Sequence, residues 1–283
     1  MKKPYISGDW KLLFKPEKNG NYINDHTIVI GSDGKWHLYG ITSFESSPSF
    51  ERYFVHGVGE NLHTQFTEDG RSIDKGTLAW APCVIRKDDN YYMFYGPSPT
   101  SLAVSFDMYE WFGTKVTLNN EPLMGAHRDH FVLKVNDNRY LMYVVGVYNR
   151  RGAVSCFSSC DLLTWDFEGY ALTSGEDAPL NPPWGAMESP YVVYMEGLYY
   201  LFVTYTDCSD DTYCNTMVFC SEDPQNFGVY NGKKTGTKPI TILNAHAPEI
   251  LQENGKYYIT TCGWRGKPLP HEGAVSIATL EWK

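Results

Sequence analysis

Three carboxylates stand at the entrances of apolar strands that lie far apart in the chain: Asp25 before HTIVI, Asp129 before HFVLKV and Glu188 before SPYVVY. Carboxylates drawn from distant segments suit a bond that must be protonated on one side and attacked on the other. Glycosidic cleavage is such a reaction. With inversion, one carboxylic acid protonates the leaving oxygen while another carboxylate activates water across the ring, roughly 6.5–9.5 Å away. A third carboxylate can keep the acid protonated by like-charge repulsion. As structure alone, three acids in a partly desolvated pocket would be costly.

What would bring them together is a repeat. One phrase, an apolar strand, a charged turn and an aromatic strand, is written five times: HTIVIGSDGKWHLYG from His26, APCVIRKDDNYYMFYG from Ala81, HFVLKVNDNRYLMYVVG from His130, SPYVVYMEGLYYLFVTY from Ser189 and APEILQENGKYYITTCG from Ala247. Repeats of this period and character predict an all-β chain, a five-bladed β-propeller of four-stranded antiparallel sheets forming a single domain over residues 1–283. A propeller aims its strand entrances at one axial pocket. Along Asp25, Trp80, Asp129, Glu188 and His246 the spacings are 55, 49, 59 and 58 residues, steady enough for blades. The turns SDG, KDDN, NDN and ENG suit hairpins that need positive φ or an Asx turn. A second phrase with Ser, Asp and an aromatic residue recurs after the third strand, as SFDMYEWF from Ser105, SSCDLLTWDFEG from Ser158 and SEDPQNFG from Ser221. The N-terminal DWKLLFKP is expected to complete the ring beside the C-terminal VSIATLEWK, since an open blade would leave bare strand edges. The first unit carries an insertion between Phe44 and Phe66, read as pocket wall.

Composition narrows the partners. A net charge of −9 argues against a nucleic-acid backbone, and no stretch is apolar and long enough for membrane insertion. The 21 Tyr and 8 Trp supply rings for blade cores and for sugar faces. The expected partner is an oligosaccharide or polysaccharide. Seven cysteines, an odd number without a C-x-x-C pair, read mostly as small buried hydrophobes, although Cys208 and Cys214 flank SDDTY and could close a loop in an oxidising compartment. The start MKKPYISGDW lacks the apolar core of a secretory signal, so the expected location is cytoplasmic, or periplasmic or secreted if a signal was removed. His127 and His130 flank Asp129, but on a regular strand His127 and Asp129 share a face that His130 leaves, and no zinc spacing exists. No metal site is read from the sequence.

The segments NDHTIVI, WAPCVI, HRDHFVL, MESPYVV and AHAPEI span nearly the whole chain and resemble glycoside hydrolase family 43, and more distantly the family 32 and 68 fructoside enzymes. The resemblance implies Asp25 as general base, Asp129 as the residue that tunes the acid and orients the sugar, and Glu188 as general acid. It implies no required cofactor, with His246 near an axis where family members can hold a calcium ion. Departures are visible. Asp25-His26 and Asp129-His130 replace the family's Asp-Pro, and Glu188-Ser189-Pro190 replaces Glu-Gly-Pro. Asn24-Asp25 and Arg128-Asp129 look more like the fructosidase motifs, in which the first Asp is a nucleophile and configuration is retained. Tyr22, Trp80, Arg128, Trp184, His246, Trp264 and Arg265 are the candidate substrate-binding residues. The function expected is an inverting pentosidase of arabinofuranosidase or xylosidase type; the alternatives are a retaining fructosidase-like exo-glycosidase and a propeller that binds glycans without turnover. P-loop, dinucleotide and serine-hydrolase motifs are absent from the sequence.

Overall fold

The computed structural model describes residues 1–45, 47–122, 125–232 and 235–283. Apart from one short 3-10 turn, Pro48–Phe50, its elements are strands, gathered into five sheets in propeller arrangement. The first sheet runs Asn24–Ile30, Trp36–Thr42, Tyr53–Gly59 and Thr67–Asp74, and the second Trp80–Lys87, Asn90–Gly96, Ser101–Ser105 and Phe112–Thr114. The third is built on Gly125–Asn136, Arg139–Tyr148, Arg151–Ser159 and Thr164–Ser174; the fourth on Met187–Met195, Leu198–Tyr205, Asn215–Ser221 and Thr241–Asn244. Ile250–Glu253, Lys256–Thr261 and Val275–Trp282 form the fifth, which Pro4–Phe14 completes by pairing antiparallel with Val275–Trp282. The strap expected from the N-terminus is therefore present.

Four of the sheets have the expected four strands; the third departs from it with seven. Its outer strand Thr164–Ser174 takes Thr117–Asn119 and Gly228–Asn231 as parallel partners, and Thr235–Gly236 pairs with the latter. An edge that would otherwise stand open is covered. The region read as an insertion between Phe44 and Phe66 also differs, because a third of it is the third strand of the first sheet, Tyr53–Gly59. Only the connection before it is extra wall.

Second strands are apolar almost throughout, since sheets pack against them on both faces: Trp36–Thr42 is buried at every position and Arg139–Tyr148 at all but its ends. Hairpins follow the turn chemistry of the sequence. Glu196-Gly197 and Asn254-Gly255 both hold positive φ in each pair, at 50° and 86° and at 50° and 76°, as tight hairpins require. The Ser-Asp phrase is a second recurrent turn. Ser159 Oγ accepts from the N–H of Asp161 and Leu162, while Asp161 Oδ1 accepts from the N–H of Leu163 and Thr164. Ser105 and Asp107 repeat the arrangement on Asp107, Met108, Tyr109 and Glu110.

Candidate active site

Each sheet enters the axis through the same local distortion. Asp25, Ala81, Asp129, Ser189 and Ala247 adopt left-handed φ of 43°, 46°, 54°, 49° and 46°. Four of these lie where the ladder register slips, at Asn24/His26, Trp80/Cys83, Arg128/His130 and Glu188/Tyr191. A bulge breaks alternation and lets successive residues reach one side. It explains why the pocket is lined by the pairs Asn24-Asp25 and Arg128-Asp129 together, where a regular strand would turn one of each pair away.

The bulge also corrects the repeat register. Positions 25, 81, 129, 189 and 247 are the equivalent ones, so Glu188 matches Asn24, Trp80, Arg128 and His246, one residue before Asp25 and Asp129. Two rings of side chains result, and the carboxylates are divided between them.

They nevertheless share one pocket of about 550 Å³, lined by Asp25, Asp129, Glu188, Trp80, Trp184 and Trp264 among others. Ser189 bridges two of the acids: its Oγ donates to Asp25 Oδ1, and its N–H donates to Asp129 Oδ2 at 3.1 Å. Arg128 is 9% exposed and committed to protein. It donates to Glu188 Oε1 at 3.0 Å and to the carbonyls of Ala126, Trp184 and Met187, with Nε 3.6 Å from Asp129 Oδ2. His246 Nε2 lies 3.6 Å from Glu188 Oε2, and its Nδ1–H donates to the Cys262 carbonyl at 2.8 Å. Tyr213 stacks on the imidazole at 4.0 Å and 8°.

These surroundings split the carboxylates. Burial, reinforced by the Asp129 charge, pushes Asp25 up to about 7 against the opposing pull of His246 and Ser189. Asp129 is raised too, by burial first and by Glu188, with Arg128 opposing. Burial would also raise Glu188, but contact with His246 and the Arg128 charge outweigh it and hold Glu188 below its usual value. Burial works against a charged His246, and Glu188 with Asp25 overcomes it, so the imidazole is raised. The expectation that neighbouring acids keep Glu188 protonated is therefore not met at Glu188 itself. One proton belongs instead to the His246–Glu188 pair, to be treated as a unit.

Of the other candidates, Trp80, Trp184, Trp264, Arg128 and His246 line the pocket, whereas Tyr22 and Arg265 do not. Tyr22 is fully buried behind the wall, its O–H donating to Glu51. Arg265 is exposed and donates through Nε to the Asn21 carbonyl. Sequence reasoning missed Glu51, Tyr213 and Cys208, which do line it. Gly263 reflects Tyr213, since a Cβ there would sit 2.5 Å from the Tyr213 hydroxyl. Gly185, beside Trp184, would put a Cβ 2.9 Å from Gly152 Cα, so only glycine lets that rim approach the third sheet.

All seven cysteines are free, Cys208 and Cys214 included. Among the described residues no group of His, Cys, Asp or Glu side chains forms a metal site. His127 Nδ1 meets Glu121 at 2.7 Å, His130 Nε2 meets Thr100 at 2.8 Å and His26 Nε2 meets Thr260 at 2.8 Å. Both His246 nitrogens face protein groups. The axial donors do not fit the calcium ion that the resemblance allowed. Among the described residues no helix is long and apolar enough to cross a membrane.

No protein-family model and no curated protein matches the sequence. Solved structures do. A thermostable family-43 glycoside hydrolase superposes with a TM-score of 0.66 at 20% identity, over 95% of this chain and 92% of its own. The shared fold is that of glycoside hydrolase propellers. An α-L-arabinanase from Cellvibrio cellulosa, solved with arabinohexaose, gives 0.66 at 12% identity over 94% of both chains. The family 32 β-fructofuranosidase of Bombyx mori gives 0.63 at 18% over 99% of this chain, which spans only 61% of that longer enzyme. The resemblance to families 43 and 32 read from the sequence thus reappears in three dimensions.

Proposed function

We propose that the protein is a glycoside hydrolase built as five blades about one axis, cleaving a terminal or short-chain pentose-containing glycan of arabinofuranoside or xyloside type with inversion. The observation that carries the reading is the convergence of Asp25, Asp129 and Glu188 on one tryptophan-lined pocket. Fold likeness alone would not suffice, because propellers serve many functions.

In this reading a sugar ring stacks on the pocket tryptophans and presents its glycosidic oxygen to Glu188. The proton held between Glu188 and His246 passes to the leaving oxygen. Arg128 holds the Glu188 carboxylate in place from Oε1. Asp25 takes a proton from the attacking water; a carboxylate titrating near 7 is suited to that task at neutral pH. Asp129 keeps the Asp25 pKa high and, through the Ser189 N–H, fixes the bulge that presents both.

Asp25 must be deprotonated to act, so turnover climbs through about pH 7. It falls again at higher pH, where the His246–Glu188 pair, with its imidazole raised, gives up its proton. A retaining, fructosidase-like reading has support in Asn24-Asp25 and Arg128-Asp129 and in the Bombyx mori neighbour; there Asp25 would attack the anomeric carbon directly. Hydrolysis of aryl pentosides, fructosides and hexosides, with the first product anomer read by proton NMR, tests both. An inverted pentose confirms the proposal, a retained fructose replaces it with the second reading, and no turnover of any glycoside class leaves a propeller that only binds.

A further inference from the structure

Glu51 is a fourth carboxylate on the pocket wall, and the chemistry above does not use it. It follows the 3-10 turn Pro48–Phe50 and is 1% exposed. Its Oε1 accepts from the Tyr22 O–H at 2.8 Å and from Trp264 Nε1–H at 3.1 Å. Oε2 has no donor among the described residues. A carboxylate oxygen on a pocket wall that no protein donor reaches takes its hydrogen bond from whatever fills the pocket, water or ligand.

Its neighbours are tied to the reacting end. The Trp264 N–H donates to the Tyr213 hydroxyl at 3.0 Å, and Tyr213 stacks on His246, which faces Glu188. Glu51 is thereby held at a fixed place relative to the acid, as recognition of a rigid ring requires. Charge supplies a second, independent argument. Arg128 is the one Lys or Arg in the described lining, and it is spent on Glu188, Asp129 and three carbonyls. The pocket therefore presents four carboxylates and no uncommitted cation. Such a lining pairs with a ligand rich in O–H donors and repels one that carries an acid.

We propose that Glu51 is a specificity-determining residue: its free Oε2 accepts a hydrogen bond from a hydroxyl of the bound sugar and turns away sugars bearing a carboxylate or phosphate. The inference rests on the hydrolase reading and deepens it. A site built to pair a substrate hydroxyl discriminates strongly against an analogue without it, because its own polar group is then stranded.

The test uses the full chain. Tryptophan fluorescence is titrated with methyl arabinofuranoside, xyloside and fructoside, with each monodeoxy analogue of whichever binds, and with the matching uronate and sugar phosphate. In the native protein one deoxy position should weaken binding by about 10- to 100-fold, and the acidic sugars should bind at least as poorly. Glu51→Gln keeps an acceptor for Tyr22 and Trp264 while removing the charge. It should raise KM for the neutral glycoside about tenfold, leave the shape of the kcat–pH profile unchanged and shrink the discrimination against acidic sugars by a similar factor. Equal binding of all deoxy analogues by the native protein overturns the proposal and needs no variant to fold. Neutral glycosides turned over alike by native and Glu51→Gln protein, with discrimination intact, would overturn this inference and spare the hydrolase reading. Absence of any sugar binding would end both.

Discussion

Aspartate is used in two recurrent turns of this molecule, with opposite results. At the outer turns, Asp161 Oδ1 accepts from two backbone N–H groups at 2.7 and 2.8 Å and from the Ser159 hydroxyl at 3.0 Å. Burial alone would raise it, and the N–H groups of Thr164 and Leu163 pull it below its usual value instead. Asp107 is lowered likewise by the N–H groups of Glu110 and Tyr109. At the axial bulges, Asp25 has the Ser189 hydroxyl on Oδ1 and Asp129 has the Ser189 N–H on Oδ2, and burial raises both. Several backbone donors hold each aspartate of the first pair ionised, whereas the second pair has the single Ser189 N–H, on Asp129. Recurrence of an aspartate therefore does not separate structure from chemistry; the number of backbone donors aimed at it does.

The comparison can be broken by three substitutions. Glu188→Gln should fold and lose turnover by about 10²–10⁴, the contribution of a positioned acid; kinetics on protein with a native melting curve checks it, and undiminished turnover would remove Glu188 from the mechanism. Asp161→Ala should do the reverse, costing about 1–3 kcal/mol of stability for the lost charged hydrogen bonds while leaving kcat per folded molecule unchanged in the same assay. Asp25→Asn has the smallest expected effect on stability, in the opposite direction. A folded-state pKa raised above the unfolded one adds stability below the unfolded value that is lost as pH climbs through about 7. Replacement by neutral Asn should then raise Tm on the order of 2–4 °C at pH 8 and change it little near pH 4, along with abolished turnover. Equal Tm at both pH values would show that Asp25 is not strained by its neighbours.

The sheets were legible because hairpin chemistry is local: SDG, NDN and ENG mark their turns by residue type, and second strands declare themselves by largely apolar runs. The three acids drew attention for a similar reason, each standing just before an apolar run. Register was not legible, because a bulge adds one residue without changing composition, so Glu188 looked equivalent to Asp129 when it matches Arg128. Glu51 left no mark either. Its position depends on a one-off connection in the first sheet and on Tyr22 and Trp264, 29 residues before and 213 after it. Arg265 misled by nearness to Trp264, although a side chain one residue further along a turn points out to solvent.

The pairing of Pro4–Phe14 with Val275–Trp282 sets an order of events. A chain emerging from the ribosome can assemble four sheets while the fifth still lacks its partner, and the contact that finishes it joins segments more than 260 residues apart. Contacts of such sequence separation form late, because loop closure costs entropy before any pairing repays it. His246 and Trp264 belong to that last sheet's surroundings, so the pocket matures only when the ring shuts. Lys3 and Lys283 exchange backbone hydrogen bonds at 2.7 and 3.1 Å. A short linker across them, with the chain reopened at an outer hairpin, would turn this final encounter into a local one and speed closure of the ring.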